Sequence, residues 1–288
     1  MKDFNGCRLG VYEKSLPAKL PFADRLLAAR DEGYDFLEIS IDETEERMSR
    51  LDWNSEKRLE LLRAINLSGL PILTMCLSAN RLYPIGAQNK EVREKGLELI
   101  GKAVDFSVDI GIRIVQVAGY DEFYNESNQT TRQLFYDSLK KAVEYASKNG
   151  VVLAIENVDT PFLDSIEKIA LCAESLGSPY LQIYPDIGNH FAMGHTLLDE
   201  TALKNKRIVG FHLKDTLPGI MREVPYGDGI VDFSGFFKQM IRLNFSGLYM
   251  AEMWATEDER ASIACIAAAR EFLAKKYAEA ERKIEIAG

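Results

Sequence analysis

Histidine and cysteine are scarce in this chain, with three His and four Cys in 288 residues. Cys7, Cys76, Cys172 and Cys265 stand far apart with no CxxC pair. That spacing excludes a disulfide scaffold or a Cys-ligated structural zinc and predicts reduced thiols. Basic charge is also short: 35 Lys and Arg face 44 Asp and Glu, a net charge of −9. A phosphate-backbone partner is disfavoured on those electrostatics, so no nucleic-acid partner is expected. The longest apolar runs fall well short of a membrane span, and residues 1–6 lack the cationic and apolar regions of a secretion signal. No membrane partner and a cytoplasmic location are therefore expected. No glycine-rich dinucleotide fingerprint follows the first strand-like segment. Nor does any linker or low-complexity stretch divide the chain, which predicts one domain over residues 1–288.

What is present is alternation. The chain is 47% apolar and 27% charged, ordinary for a globular protein with a large core. Strand-like runs begin near residues 9, 36, 72, 113, 151, 181, 208 and 248, at intervals of 27, 36, 41, 38, 30, 27 and 40 residues. Each interval holds a strand, a helix and two loops. Helical periodicity marks residues 22–31, 54–65, 89–108, 130–148, 165–176, 197–204, 233–243 and 258–280, several of them closed by glycine (Gly33, Gly69, Gly111). Strict alternation implies a parallel sheet, and eight units close into an α/β (β/α)8 TIM barrel.

In such a barrel, polar residues at the carboxyl ends of strands form the active site. The run Arg207-Ile208-Val209-Gly210-Phe211 ends in His212. Val151-Val152-Leu153-Ala154-Ile155 ends in Glu156, Leu181-Gln182-Ile183-Tyr184-Pro185 in Asp186, and Leu248-Tyr249-Met250-Ala251 in Glu252. Three carboxylates and one imidazole thus stand at the tips of the last four strands. That donor set suits one divalent metal ion: Mn2+, Mg2+ or Co2+, with Zn2+ less selective. Asp186, followed by Ile187-Gly188-Asn189, also suits a turn. His190 and His195 fall in the loop beyond it and read as exposed or capping residues. Lys214 and Asp215 follow His212, either as orienting groups or as a surface ion pair. Glu38, Asn80, Arg81, Gln116, Gly119 and Tyr120 also lie at or just past strand ends, and Trp254 walls the pocket or packs in the core. Gly227-Asp228-Gly229 reads as a turn more readily than as an anion cradle.

Eight segments carry a further pattern: Tyr12-Glu13-Lys14-Ser15-Leu16-Pro17, Ser40-Ile41-Asp42-Glu43-Thr44, Arg50-Leu51-Asp52-Trp53, Cys76-Leu77-Ser78-Ala79-Asn80-Arg81, Val117-Ala118-Gly119-Tyr120-Asp121, Tyr184-Pro185-Asp186-Ile187-Gly188-Asn189, His212-Leu213-Lys214-Asp215-Thr216 and Ala251-Glu252-Met253-Trp254. In that order they resemble the L-ribulose-5-phosphate 3-epimerase (L-xylulose-5-phosphate 3-epimerase) family, of the xylose-isomerase-like barrels. The resemblance implies a metal held by Glu156, Asp186, His212 and Glu252. It implies inversion of carbon 3 of a pentulose 5-phosphate through an enediolate, with Glu156 and Glu252 as the acid and base. Lys214, Asn80, Arg81, Tyr120 and Trp254 are the candidate substrate contacts, and a homodimer is compatible with the group. Free-ketose epimerases of the wider group carry Glu six residues after the first metal Glu and Arg six after the metal His. Phe162 and Pro218 stand there instead, which agrees with a phosphorylated substrate. Lys14, Arg81, Lys214 and Arg222 are the candidate phosphate cations. The chemistry leaves three alternatives: an aldose–ketose isomerase, a metal-dependent apurinic endonuclease, and a sugar-phosphate-binding protein with a dead site. The endonuclease would need a His-rich trinuclear centre and a basic groove, which this composition lacks.

Overall fold

The computed structural model describes residues 4–195, 204 and 206–285. Seven strands alternate with helices in chain order: β1 (Arg8–Tyr12), β2 (Phe36–Ile41), β3 (Ile72–Leu77), β4 (Ile114–Ala118), β5 (Val152–Glu156), β6 (Leu181–Ile183) and β7 (Gly210–Leu213). A two-stranded antiparallel ribbon, β8 (Asp215–Leu217) and β9 (Ile220–Val224), interrupts the series before β10 (Leu248–Ala251). The main sheet is parallel throughout and runs β6-β5-β4-β3-β2-β1-β10-β7. Parallel bridges Ile183–Ile208 and Asp186–His212 join its two ends, so the sheet closes as the alternation predicted.

The helices start where short polar side chains cap them. Asn54 accepts from Lys57 N, Asn128 forms a reciprocal capping box with Thr131, and Ser165 accepts from Lys168 N. The expected helix over residues 197–204 falls almost wholly outside the described residues. The last helix extends beyond the expected end and spans Glu259–Glu285. No described helix is long and apolar enough to cross a membrane.

Alternation along each strand divides the apolar residues into two sets. Leu9, Val11, Leu37, Ile39, Met75 and Leu77 pack in the large cluster that faces the helices. Tyr12, Phe36, Cys76, Ala154, Tyr184 and Met250 form a separate cluster, the filling of the barrel itself. Gly10 is required there, because a Cβ would meet the Phe36 ring at 2.3 Å. The barrel is therefore plugged below its mouth, and ligand chemistry is confined to the carboxyl ends of the strands.

Two loop expectations change. Residues 187–192 form a short helix, and Asp186 caps it by accepting from Asn189 N at 2.9 Å. His190 thus lies on a helix, buried, and not in an exposed loop. The segment after β7 is the β8–β9 ribbon, not an open loop. Its following turn carries Gly227-Asp228-Gly229, whose NH groups are already committed. Gly227 N and Gly229 N donate to Asp215 Oδ2 at 2.8 and 3.1 Å, and Val231 N donates to Asp215 Oδ1 at 3.2 Å. Asp215 anchors this turn, so the turn offers no anion cradle.

Candidate metal centre

Glu156 ends β5, Asp186 follows β6, His212 lies in β7 and Glu252 follows β10, so four neighbouring strand ends contribute one side chain each. One donor atom from each lies within 4.8 Å of all the others. Asp186 is fully buried, His212 is 1% exposed, and Glu156 is 8% exposed, opening towards the cavity. Glu156 and Glu252 occupy the outer pair of these strands, with Asp186 and His212 between them.

Local bonding sets each side chain. Asn157, the residue after Glu156, donates Nδ2 to Asp186 O at 2.9 Å and accepts from Asp186 N at 2.8 Å. The two strand ends are therefore locked side by side. Gly188 lets the short helix lie against β7, since a Cβ there would come within 2.5 Å of Lys214 Cγ. Gln116, on β4, donates Nε2 to Glu156 Oε2. His212 Nδ1 lies 3.2 Å from Glu156 Oε1 and 3.3 Å from Glu252 Oε2. Its Nε2 lies 3.2 Å from Glu38 Oε1. Neither ring nitrogen has an aligned hydrogen bond.

The electrostatics show a surplus of negative charge. Glu38, Glu156, Asp186 and Glu252 crowd together, while Lys214 and one imidazole are the cations facing them. Lys214 Nζ lies 2.6 Å from Asp186 Oδ2 and 3.4 Å from Glu252 Oε2. Burial pushes the Asp186 carboxyl up to about 7 against the pull of Lys214, and the Glu252 and Glu156 charges add to the rise. Burial also works against an ionised Glu252, but Lys214 and His212 outweigh it and hold that carboxyl below its ordinary range. Burial lowers the His212 imidazole, yet the Glu38 and Glu156 charges overcome it and drive its pKa well above the usual value. Burial likewise lowers Lys214, and Asp186 and Glu252 reverse the effect.

These residues fit a divalent cation. The donor set is three carboxylates and one imidazole, chemistry suited to a borderline or hard metal. His212 Nδ1 stands among carboxylate oxygens with no hydrogen-bond partner. A double positive charge would offset the surplus that Lys214 leaves unbalanced.

The cavity above this group is lined by Lys14, Arg81, Tyr120, Glu156, Lys214, Glu252 and Trp254, among others. Four of the five candidate substrate contacts therefore face it. The exception is Asn80, which braces the turn after β3 by donating to Tyr83 O at 3.1 Å and does not line the cavity. His195 pairs loosely with Asp164 at 3.5 Å, and it too stays outside the lining. Tyr12, Ser78, Asn189 and Met221 line the cavity without having been singled out for ligand contact. The roles of Gln116 and Asn157 in holding Glu156 and Asp186 were also missed, because they depend on cross-strand register.

The four candidate phosphate cations differ in their pairing. Lys14 bonds Asp42 at 2.5 Å, and Lys214 is held by Asp186 and Glu252. Arg81 and Arg222 have no carboxylate within ion-pair distance among the described residues, and Arg81 Nε is buried with no hydrogen-bond partner. The Arg81 guanidinium lies over the Tyr120 and Phe123 rings, 5.8 and 5.5 Å from their centroids.

A family model described as "Xylose isomerase-like TIM barrel" matches residues 26–276. L-ribulose-5-phosphate 3-epimerase UlaE of Escherichia coli O157:H7 (strain EC4115 / EHEC) is 44% identical over 274 residues, covering 94% of this chain and 95% of that protein. A crystal structure of a D-tagatose 3-epimerase-like protein superposes with a TM-score of 0.78 at 17% identity, covering 96% of this chain and 99% of the other. A structure of L-ribulose 3-epimerase gives a TM-score of 0.76 at 18% identity, with 98% of each chain covered. At those identities the two structures bear on the fold alone.

Proposed function

Because the chain belongs to the L-ribulose-5-phosphate 3-epimerase family of xylose isomerase-like TIM barrels, a family of isomerases acting on sugars, we propose that it inverts carbon 3 of a pentulose 5-phosphate, interconverting L-ribulose 5-phosphate and L-xylulose 5-phosphate. The observation that carries this reading is the meeting of Glu156, Asp186, His212 and Glu252 donor atoms within 4.8 Å, with the two glutamates on the outer strands.

The carbon-3 proton of a 2-ketose is weakly acidic, so its removal needs both a base and relief of the charge that develops on oxygen. A divalent cation held by the four residues would supply Lewis-acid polarisation of the substrate's oxygens. Glu156 and Glu252 approach the bound sugar from opposite sides: one takes the proton from carbon 3, the other returns a proton to the opposite face. Gln116 holds the outer oxygen of Glu156 and leaves Oε1 turned inward. Asp186, pinned by Asn157 and Asn189 N, has no comparable freedom, and it serves with His212 as a ligand. Lys214 stays beside Glu252 and keeps that carboxyl ionised. Arg81 and Arg222, which among the four candidate cations have no carboxylate partner in the described residues, suit the phosphate, while Tyr120 and Trp254 wall the sugar.

The test is incubation with each pentulose phosphate in deuterated water, before and after chelation and metal reloading. Metal-dependent interconversion with deuterium confined to carbon 3 is expected. Deuterium at carbon 1 or 2 with an aldose product would replace the epimerase reading with an isomerase. Undiminished turnover after complete chelation would remove the metal from it.

A further inference from the structure

Glu38 is the buried charge that the proposed chemistry does not use. It lies on β2, fully buried, on the far side of the barrel from the metal ligands, and its side chain reaches across the interior to β7. One oxygen, Oε2, accepts from Thr74 Oγ1 at 2.6 Å. The other, Oε1, has no hydrogen-bond partner and stands 3.2 Å from His212 Nε2, which has none either. The approach is close but not aligned as a hydrogen bond. Two orphaned buried polar atoms that face each other are each other's remedy, because a buried charge or N–H without a partner is costly.

The geometry of the imidazole gives that pairing a direction. Nδ1 faces Glu156 and Glu252, the side on which a cation would sit, so Nδ1 must present its lone pair. The ring proton then resides on Nε2, where Glu38 Oε1 stands as acceptor. Tyr184 packs edge-on to the ring, with centroids 4.6 Å apart, and limits its rotation.

We propose that Glu38 is a positioning residue for the metal ligand His212, accepting Nε2–H so that Nδ1 is fixed as the ligating nitrogen. This rests on the metal reading of the four-residue group. It adds a carboxylate–histidine–metal relay that spans the barrel from β2 to β7, with Thr74 on β3 orienting the carboxylate. Such partners typically change metal affinity by about 10–100-fold when removed.

The experiment uses zinc alone as the probe, in the full chain. Zinc affinity is measured by competition with a chromophoric chelator for the wild type, Glu38→Gln and Glu38→Leu, with thermal unfolding recorded in parallel. Glu38→Gln keeps an acceptor oxygen and loses the charge, whereas Glu38→Leu loses both. Zinc affinity is expected to fall about tenfold in the first and about 100-fold in the second. Imidazole nitrogen NMR of the zinc-loaded wild type supplies a readout that a purely structural role would not move. His212 is assigned by comparison with His190→Gln and His195→Gln. Its Nδ1 should bear the metal shift, and its Nε2 should carry a proton protected from solvent exchange.

Zinc affinity within twofold of wild type in Glu38→Leu would overturn the proposal, as would a wild-type spectrum showing zinc on Nε2. Should Glu38→Leu not fold, the wild-type spectrum and Glu38→Gln decide the question. A wild-type chain that binds no zinc overturns the metal reading together with this one. Binding that is indifferent to residue 38 overturns this one alone.

Discussion

Glu156→Gln tests the acid–base assignment most directly, because the structure constrains where the new amide can turn. The native carboxylate is engaged at both ends: Oε2 accepts from Gln116 Nε2, and Oε1 faces His212 Nδ1 at 3.2 Å. An amide has one accepting end. If its oxygen keeps the bond to Gln116, its NH2 group points into the ligand set and displaces a donor. If Gln116 flips instead, which its unpartnered Oε1 permits, the new oxygen faces inward as a neutral group. In both arrangements the variant lacks a basic atom that can take the carbon-3 proton. Loss of a general acid or base costs about 10²–10⁴ in rate. At about 1.36 kcal/mol per decade, that is roughly 3–5 kcal/mol of barrier.

The assay is interconversion of L-ribulose 5-phosphate and L-xylulose 5-phosphate in deuterated water, at metal concentrations that saturate the variant, with bound metal measured separately. Glu252 remains in this variant. It should still exchange the carbon-3 proton of the one epimer it faces and return it to the same face, giving deuterium without inversion. Glu252→Gln should show the mirror pattern with the other epimer. Interconversion within tenfold of wild type in either metal-saturated variant would refute the two-glutamate mechanism.

Other consequences are open to direct measurement. Arg81→Met should raise KM for the phosphorylated ketose by about tenfold or more with kcat little changed, since a charge-assisted hydrogen bond is worth about 1.5–3 kcal/mol; equal KM values would take Arg81 out of the phosphate site. Gly188→Ala should lower stability by about 1–3 kcal/mol, because its Cβ would intrude to 2.5 Å from Lys214 Cγ; an unshifted unfolding curve would show that the short helix does not depend on that close approach. Asp42 is driven up by burial and down further by Lys14 and Thr44, ending below its ordinary range. A lowered native pKa stabilises the fold above the unfolded value of about 3.9 and is lost as pH falls through the native one. Asp42→Asn should therefore flatten the acid limb of the stability profile below about pH 4, and an unchanged limb in thermal unfolding would contradict the pairing. Burial, with Glu38 and Glu156 adding to it, pushes the Cys76 thiol up to about 12, and burial pushes Cys172 to about 12. Cys7 is also buried and Cys265 is exposed, so a native titration with a thiol reagent at pH 8 should find one fast cysteine out of four.

The strands were legible because parallel strands covered on both faces are written as unbroken apolar runs, and their ends as the first ionisable residue. Val152–Glu156 and Gly210–Leu213 appear in the structure within two or three residues of where the sequence puts them. The short helix Ile187–Ala192 left no periodic trace, since it is under two turns long and contains Gly188. In the ribbon, Ile220–Val224 is largely exposed and the buried Asp215–Leu217 is only three residues long, so neither shows the apolar alternation that announces a strand. Asp215 could not be separated from Lys214 as a candidate site residue. Three of its bonds run to backbone NH groups 12 to 16 residues ahead, a distance no local pattern encodes.

The supporting polar residues are the more instructive failure. Glu38 and Gln116, expected at or just past strand ends, lie inside β2 and β4, and Thr74, not singled out from the sequence, lies inside β3, where a polar residue in an apolar run is easily read as a minor flaw in packing. Each is fully buried and directed into the barrel, and Glu38 and Gln116 touch His212 and Glu156. The reason is geometric. Side chains at the strand tips are held partly by neighbours at the mouth, as Asn189 N and Lys214 hold Asp186, and partly by the layer beneath, which consists of inward-facing mid-strand positions. In this barrel, polar residues within apolar strands therefore mark a facing or an adjoining strand as a carrier of site residues. Glu38 points to His212 in this way, and Gln116 to Glu156 on the adjoining strand.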